Sequence, residues 1–234
     1  MEYIDIEYNG MLGSALGIYA TKYPSIPAAE EQIEEISVPG RSGSLHVRKK
    51  CFKQTVIPIE FNYIGKAELW NERWREAKEW LSAVNAELSF GDDPNFFYRI
   101  SKVTIGSNER VSQRVGKFVA SFATVDGLTY LKSGNWATDY TELLENPGIF
   151  SQPIYLISGE GVCALTVNGK SVTANVAQNL TIDTERMISY REDGTLQNTA
   201  ISGNYEDLYL QEGKNTITVT EGFECKVIPR WRCL

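Results

Sequence analysis

The chain has 234 residues, of which 42% are hydrophobic and 23% charged, and its formal net charge is −7. This is an ordinary globular composition, long enough for one large domain or two modest ones. The acidic balance argues against sequence-independent binding of nucleic acid, which favours a basic surface. No apolar run approaches the roughly 18 residues that a membrane span needs, and MEYIDIEYNG lacks the features of a secretory signal, so we expect production in a cytoplasm.

Metal sites, cofactors and disulfides are not expected. The four cysteines (Cys51, Cys163, Cys225 and Cys233) are scattered, form no CxxC pair and accompany a single histidine, His46. A structural zinc site normally needs clustered cysteine and histidine ligands. We therefore predict reduced, buried thiols, no metal and no cofactor.

The first half of the chain predicts strands around one long excursion. Ile4, Ile6 and Tyr8 alternate with polar residues, and Asn9-Gly10 follows as a tight hairpin turn. Residues 21–50 contain three prolines and a glycine-bounded segment, which predicts an excursion ending in a turn and an extended arm. An alternating strand from Val56 to Tyr63 comes next.

One amphipathic helix is predicted within GKAELWNERWREAKEWLSAVNAEL, lying with one face on a sheet. The apolar stripe consists of Trp70, Trp74, Ala77, Leu81 and Val84. A turn at Asp92-Asp93-Pro94 and strands within 96–105 and 115–125 complete an α+β first half.

The second half of the chain is predicted to be all β. Residues 133–152 are rich in turn formers and acidic residues, which is typical of a linker or a covering loop. About eight short apolar runs follow, separated by turns that include Asn168-Gly169 and the glycine pair at Gly159–Gly161. This spacing indicates a β-sandwich or jelly roll. We therefore predict a mainly β protein with domains at 1–138 and 139–234.

No catalytic constellation is evident. His46 lies in an alternating polar arm without a marked partner, and the carboxylate pairs Asp92/Asp93 and Asp183/Glu185 are better explained as a turn and a strand end. There is no phosphate-binding loop and no calcium loop. We predict that the protein is not an enzyme but a binding protein or a structural component of an assembly.

Several segments, taken in order, resemble the distal tail protein (Dit) family of long-tailed phages and prophages of Gram-positive bacteria. These are ISVPGRSGSL at 36–45, GDDPNFFYRI at 91–100, the stretch from NPGIFSQP to LTIDTERMISY at 146–190, GNYEDLYLQEGKNTITVT at 203–220 and the closing PRWR. The resemblance implies a ring-forming first domain and a galectin-like β-sandwich second domain.

The same resemblance implies a structural role in the virion tail tip, after production in the host cytoplasm. A ring of six copies would join the tail tube protein to the tail-associated fibre or lysin protein and, in some phages, to receptor-binding proteins. For the contact between copies we predict the arm, with Pro39, Gly40, Arg41, Ser42, Gly43 and His46 as candidates. The alternative is that these residues form a plain exposed turn.

Two other function classes stay open at this point. The second domain could be a carbohydrate-binding module for host cell-wall glycans, with Tyr155, Tyr190, Tyr205 and Tyr209 available for stacking, although none lies in a recognisable binding motif. A cell-wall hydrolase is the third hypothesis, and the sequence offers no site for it.

The closing segment KVIPRWRCL suggests either a ligand clamp or the end of a fold. Strand alternation over Pro229, Arg230, Trp231 and Arg232 would send the indole to one face and both guanidinium groups to the other. We predict a closing strand with a buried Trp231, whose burial would contribute roughly 2–3 kcal/mol.

Overall fold

A computed structural model describes residues 4–139 and 143–234 and is mainly β, which confirms the predicted fold class. The chain divides into two compact units, with the boundary between Thr129 and Tyr130. The boundary therefore lies earlier than the predicted division at 138/139, because Leu131 already packs against the second core and Thr138 pairs with Val227. Within the described residues, no helix is long and apolar enough to cross a membrane.

The first unit is a curled sheet with one helix. Its strands are β1 (Ile6–Tyr8), β2 (Met11–Leu12), β3 (Ile18–Ala20), β4 (Glu31–Ser37), β5 (Ser44–Phe52), β6 (Val56–Ile64), β7 (Ala86–Phe90), β8 (Asp93–Ile105), β9 (Glu109–Arg110) and β10 (Val115–Leu131), whose last two residues belong to the second unit. The sheet order is β2-β1-β7-β8-β10-β6-β3, with β9 beside β10. Strands β4 and β5 form a separate two-stranded sheet.

Alternation in β6 and β10 builds the first core, as the sequence predicts. The inward side chains of β6 are all buried: Ile57, Ile59, Phe61 and Tyr63. Phe61 stacks on Phe118 of β10, with ring centroids 5.3 Å apart. The strand is long and regular because its β-branched and aromatic residues pack well on a half-buried surface.

Helix α1 (Trp70–Trp80) covers this core but ends earlier than its apolar pattern suggests. Ala77 and Leu81 are buried, whereas Val84 lies beyond the helix and is 64% exposed, so its place in the predicted stripe is wrong. Trp80 is buried instead, and its indole N–H donates to the carbonyl oxygens of Tyr8 and Met11 at 3.3 and 3.2 Å. These hydrogen bonds join the helix to the first hairpin.

The described residues of the second unit form nine strands. They are β11 (Thr138–Asp139), β12 (Leu143–Asn146), β13 (Ile154–Val167), β14 (Lys170–Asp183), β15 (Ile188–Tyr190), β16 (Ile201–Ser202), β17 (Gly213–Val219), β18 (Glu224–Ile228) and β19 (Arg232–Cys233). β13 pairs with β14 along its whole length, with β18 over its first half and with β17 over its last residues. Asn168 and Gly169 form the predicted turn between β13 and β14, with φ of 51° and 80°.

The predicted turn at Gly159–Gly161 is wrong, because these residues continue β13. Gly159 has φ of 150° and pairs with Gln178 in the ladder. A Cβ atom at Gly159 would lie 2.4 Å from the ring of Phe223, so the absence of a side chain makes room for that aromatic ring. The glycines therefore lie within a continuous strand where their composition suggested a break.

Residues 133–152, for which we predicted a linker or a covering loop, are part of the second unit. Of this segment, residues 140–142 lie outside the described part of the chain. The buried Asn146 side chain donates to the carbonyl oxygens of Ile149 and Gln211 at 2.7 and 3.1 Å. The turn-forming composition reflects side-chain hydrogen bonds to the backbone rather than disorder.

Candidate assembly interface

The hairpin of β4 and β5, here called the arm (residues 31–52), has almost no contact with the rest of the described chain. All of its strand residues are exposed except Glu31 and Phe52, which are half-buried. Ile36 pairs with Leu45, and Ser37 with Ser44. An isolated two-stranded hairpin is marginally stable in water, so an arm of this kind is a candidate for stabilisation by a partner.

Three exposed apolar side chains lie on one face of the arm, beside the Glu34–Lys49 ion pair. Ile36, Leu45 and Val47 are 41%, 44% and 40% exposed, and the pairings of Ile36 with Leu45 and of Glu34 with Val47 place them on the same face. Exposed apolar side chains that lie together mark interaction surfaces more often than isolated ones do. The arm therefore offers a partner three exposed apolar side chains on one face, next to an ion pair.

Two cross-strand ion pairs join the strands of the arm: Glu34 lies 3.1 Å from Lys49, and Glu31 lies 3.6 Å from Arg48. Glu35 lies 3.8 Å from His46, a contact that is an ion pair only when the imidazole is protonated. Exposed pairs of this kind contribute at most about 1 kcal/mol each, so their main consequence is that the strands present little net charge.

The tip of the arm carries most of the predicted interface residues. Val38 to Arg41 form a tight turn in which the Arg41 N–H donates to the Val38 carbonyl oxygen at 3.1 Å and Gly40 has φ of 81°. Proline followed by a glycine of positive φ is the favoured pair for a type II turn. Pro39 to Gly43 are all exposed, whereas His46 lies within β5.

Arg41 is the cation that the arm leaves unpaired at its tip. No carboxylate lies within 4.0 Å of it among the described residues, in contrast to Arg48 and Lys49. The sequence identified the turn and its arginine but missed β4 as the partner strand of β5. The signal was present: Ile33 and Ile36 precede the Pro-Gly pair, and apolar residues follow it.

The predicted closing strand over Pro229 to Arg232 does not form as expected. β18 ends at Ile228, Arg230 has φ of 51°, and only Arg232 and Cys233 are extended and paired. The left-handed residue turns the backbone, so strict alternation of side chains fails. Trp231 is nevertheless buried in the second core.

Both arginines of this segment are engaged within the second unit. Arg230 pairs with Asp183 and Glu185, at 2.9 and 3.0 Å from Nη1. Arg232 is buried, donates to the Phe150 carbonyl oxygen at 2.7 Å and lies 4.3 Å from the centre of that ring. This geometry supports a structural role rather than a ligand clamp.

The remaining candidates for chemistry do not come together. Asp92 lies in the turn before β8 and Asp93 is the first residue of β8, and both are exposed. Asp183 is held in the Arg230 ion pair. The described residues contain no group of three or more histidine, cysteine or acidic side chains that could hold a metal ion.

The four cysteines form no disulfide and lie in varied environments. Cys163 and Cys225 are buried, Cys233 is half-buried and Cys51 is exposed on the arm, so the prediction of burial is wrong for Cys51. Burial raises the pKa of the Cys225 thiol to about 12, with a smaller contribution from Cys163. A thiol with so high a pKa is a poor nucleophile at neutral pH.

The four tyrosines considered for sugar stacking present no exposed ring. Tyr155 is fully buried and its hydroxyl donates to the Leu208 carbonyl oxygen at 2.8 Å. Tyr190, Tyr205 and Tyr209 are half-buried, and Tyr209 stacks against Phe150 with centroids 6.2 Å apart. Among the described aromatic residues of this unit, Trp136 is the exposed one, at 70%, and no sequence motif marks it.

Comparisons with known proteins give a fold and no family. No family model matches the sequence, and no curated protein matches it. Among solved structures, the chain is similar to the crystal structure of the Dit protein (gp 19.1) of phage SPP1, with a TM-score of 0.71 and 13% sequence identity over 97% of this chain and 98% of that chain. That protein is described as a paradigm of the hub of the adsorption apparatus in phages that infect Gram-positive bacteria. At this identity, the similarity establishes the shared fold.

Proposed function

We propose that the protein is a structural component of a phage tail tip, a hub that carries no catalytic activity. The observation that carries this proposal is the similarity of fold to the SPP1 Dit protein along 97% of the chain. It is supported independently by the order of sequence segments that resemble the Dit family.

The hub assembles as a ring, for which six copies are expected from the resemblance. The exposed arm is the element best suited to the contact between copies, because it carries exposed apolar side chains, a tight turn and little contact with its own chain. Successive copies would then be joined through two different surfaces. Such a contact forms a closed ring when the rotation from one copy to the next divides a full turn evenly. The tail tube and a tail-associated fibre or lysin protein would then occupy the two sides of the ring.

The mass of the purified full-length chain in solution, followed by electron microscopy, tests this proposal. We expect a species of about six chain masses, as the resemblance implies, and ring-shaped particles with a central opening. A chain that remains monomeric at every concentration, both alone and with its tail partners, would contradict the proposal. Clearing of a cell-wall suspension by the protein would contradict its non-enzymatic part.

A further inference from the structure

An aromatic cleft opens on the first unit, between the strand-free segment after β3 and the start of β8. Its volume is about 210 Å³, which is room for more than one small apolar side chain. Its apolar walls are formed by Tyr23, Pro24, Ile26, Phe90, Phe96 and Tyr98. Tyr23 is 64% exposed and Ile26 42%, so one wall of the cleft is accessible to another molecule.

The rim of the cleft is acidic. Asp92 and Asp93 line it, both are exposed, and neither has a cation within 4.0 Å among the described residues. The ring of Tyr98 lies near this charge: burial raises the pKa of Tyr98, and the carboxylate of Asp93 adds to the effect. The cleft thus combines an apolar floor with two uncompensated negative charges.

The arm tip has the complementary chemistry. Val38 and Pro39 are apolar and exposed, and Arg41 follows them in the same turn as a cation without an ion pair. The turn fixes the backbone of the arm tip, so little conformational entropy is lost when the tip docks.

Within one chain, the tip and the cleft are not in contact. None of the residues from Val38 to Gly43 lines the cleft, and all are exposed. The seven residues of β4 carry the tip roughly 20 Å from the base of the arm, at about 3.3 Å per residue. The tip is therefore presented away from its own unit, where a second copy can meet it.

We propose that the arm tip of one copy, Val38 to Arg41, docks in the aromatic cleft of the next copy, with Arg41 paired to Asp92 and Asp93. The inference rests on the proposed ring and names the two surfaces that join its copies. The contact is heterologous: each copy offers one tip and one cleft. Repetition around an axis then satisfies every tip and every cleft in a closed ring.

Charge exchange in the full-length chain tests the pairing. Arg41→Glu and the double change Asp92→Arg/Asp93→Arg each place like charges together, so we expect each to weaken self-association by about tenfold or more in sedimentation velocity. Combining all three changes restores opposite charges and recovers most of the loss. Lys50→Glu is the matched control, because it reverses another exposed cation of the arm that has no ion pair among the described residues.

Cross-linking shows where the tip lies. A photoreactive amino acid replaces the exposed Ser42, and unlabelled and isotope-labelled copies are mixed so that links between copies are recognised by mass. We expect links to peptides containing residues 23–26 or 90–98 of the other copy. Rings that form with links elsewhere, or that ignore the charge exchange, would overturn the inference and leave the proposed function standing. A protein that forms no assembly, either alone or with its tail partners, would overturn both.

Discussion

The guanidinium group of Arg230 donates hydrogen bonds to both carboxylate oxygens of Asp183. Nη1 lies 2.9 Å from Oδ1 and Nη2 lies 3.2 Å from Oδ2. The side chain of Asp183 is only 2% exposed and also accepts hydrogen bonds from the backbone N–H groups of Glu185 and Arg186. A residue near the end of the chain thus holds the end of β14 through an ion pair that is largely shielded from water.

Replacement of Arg230 by alanine should destabilise the second unit by about 3–5 kcal/mol, because the Asp183 carboxylate would remain buried without its cation. Urea unfolding of the full-length chain measures the effect. Arg186→Ala is the matched control: Arg186 lies 3.8 Å from the same carboxylate but is 70% exposed, so its loss should cost less than about 1 kcal/mol. Equal losses in the two variants would contradict the argument.

The sequence predicted the strands of the first core well, and the reason is local. In β6 the inward residues alternate without interruption, so the period of the pattern is the period of the strand. The same rule failed at Pro229 to Arg232, where the backbone turns at Arg230. Tertiary contacts set that turn: the Asp183 ion pair and the hydrogen bond from the Arg230 N–H to the Gly134 carbonyl oxygen, at 2.8 Å.

The candidate interface was predictable only in part. The Pro-Gly turn and Arg41 are visible in the sequence because turn residues carry their geometry locally. The sequence also indicates Asp92 and Asp93, but only as part of a turn. Their role as the rim of an aromatic cleft depends on Tyr23 and Tyr98, which are far apart in sequence and meet only in the fold. No local sequence pattern indicates that these two tyrosines line the same cleft.

Burial distinguishes the two tryptophans of the second unit. Trp231 is 7% exposed and belongs to its core, whereas Trp136 is 70% exposed. Trp231→Ala should lower the free energy of unfolding by about 3–5 kcal/mol, the usual cost of a large cavity. Trp136→Ala is the control and should change it by less than about 0.5 kcal/mol. Deletion of residues 231–234 should go further and unfold the second unit. A deletion variant with the melting temperature of the parent chain would show that this segment is not needed for the fold.

The arm should be dispensable for folding and required for assembly. Replacing residues 33–48 by a short Asn-Gly turn removes strands whose residues are exposed, so we expect stability within about 0.5 kcal/mol of the parent chain. Size-exclusion chromatography with light scattering should then show monomers.

A second variant keeps the arm but removes its exposed apolar side chains, so the contribution of these side chains to assembly can be measured by itself. Threonine at Ile36, Leu45 and Val47 keeps the strand propensity while removing the exposed apolar side chains. We expect an assembly weaker than that of the parent chain. Assembly of normal strength in the shortened variant would exclude the arm from the contact between copies.

The buried thiol of Cys225 should make the protein sensitive to alkaline pH. Burial raises its pKa from 9.0 to about 12, so between these values the unfolded chain releases a proton that the folded chain retains. Stability therefore falls as the pH rises above about 9, by up to about 1.4 kcal/mol per pH unit for this group. Burial also raises the pKa of Tyr155 well above 10.0, which adds to the loss at higher pH.

Urea unfolding from about pH 8 to about pH 11, in the presence of a reductant, measures this dependence. Cys225→Ala removes one titrating group, so its stability should decline less steeply with pH than that of the parent chain, whatever its stability at neutral pH. Cys51→Ala is the control, since that thiol is exposed on the arm and its loss should leave the slope unchanged. Identical slopes in the parent chain and the Cys225→Ala variant would mean that the Cys225 thiol ionises as readily in the folded protein as in the unfolded chain. That result would be incompatible with the position of Cys225 in the second core, beside the other buried thiol, Cys163.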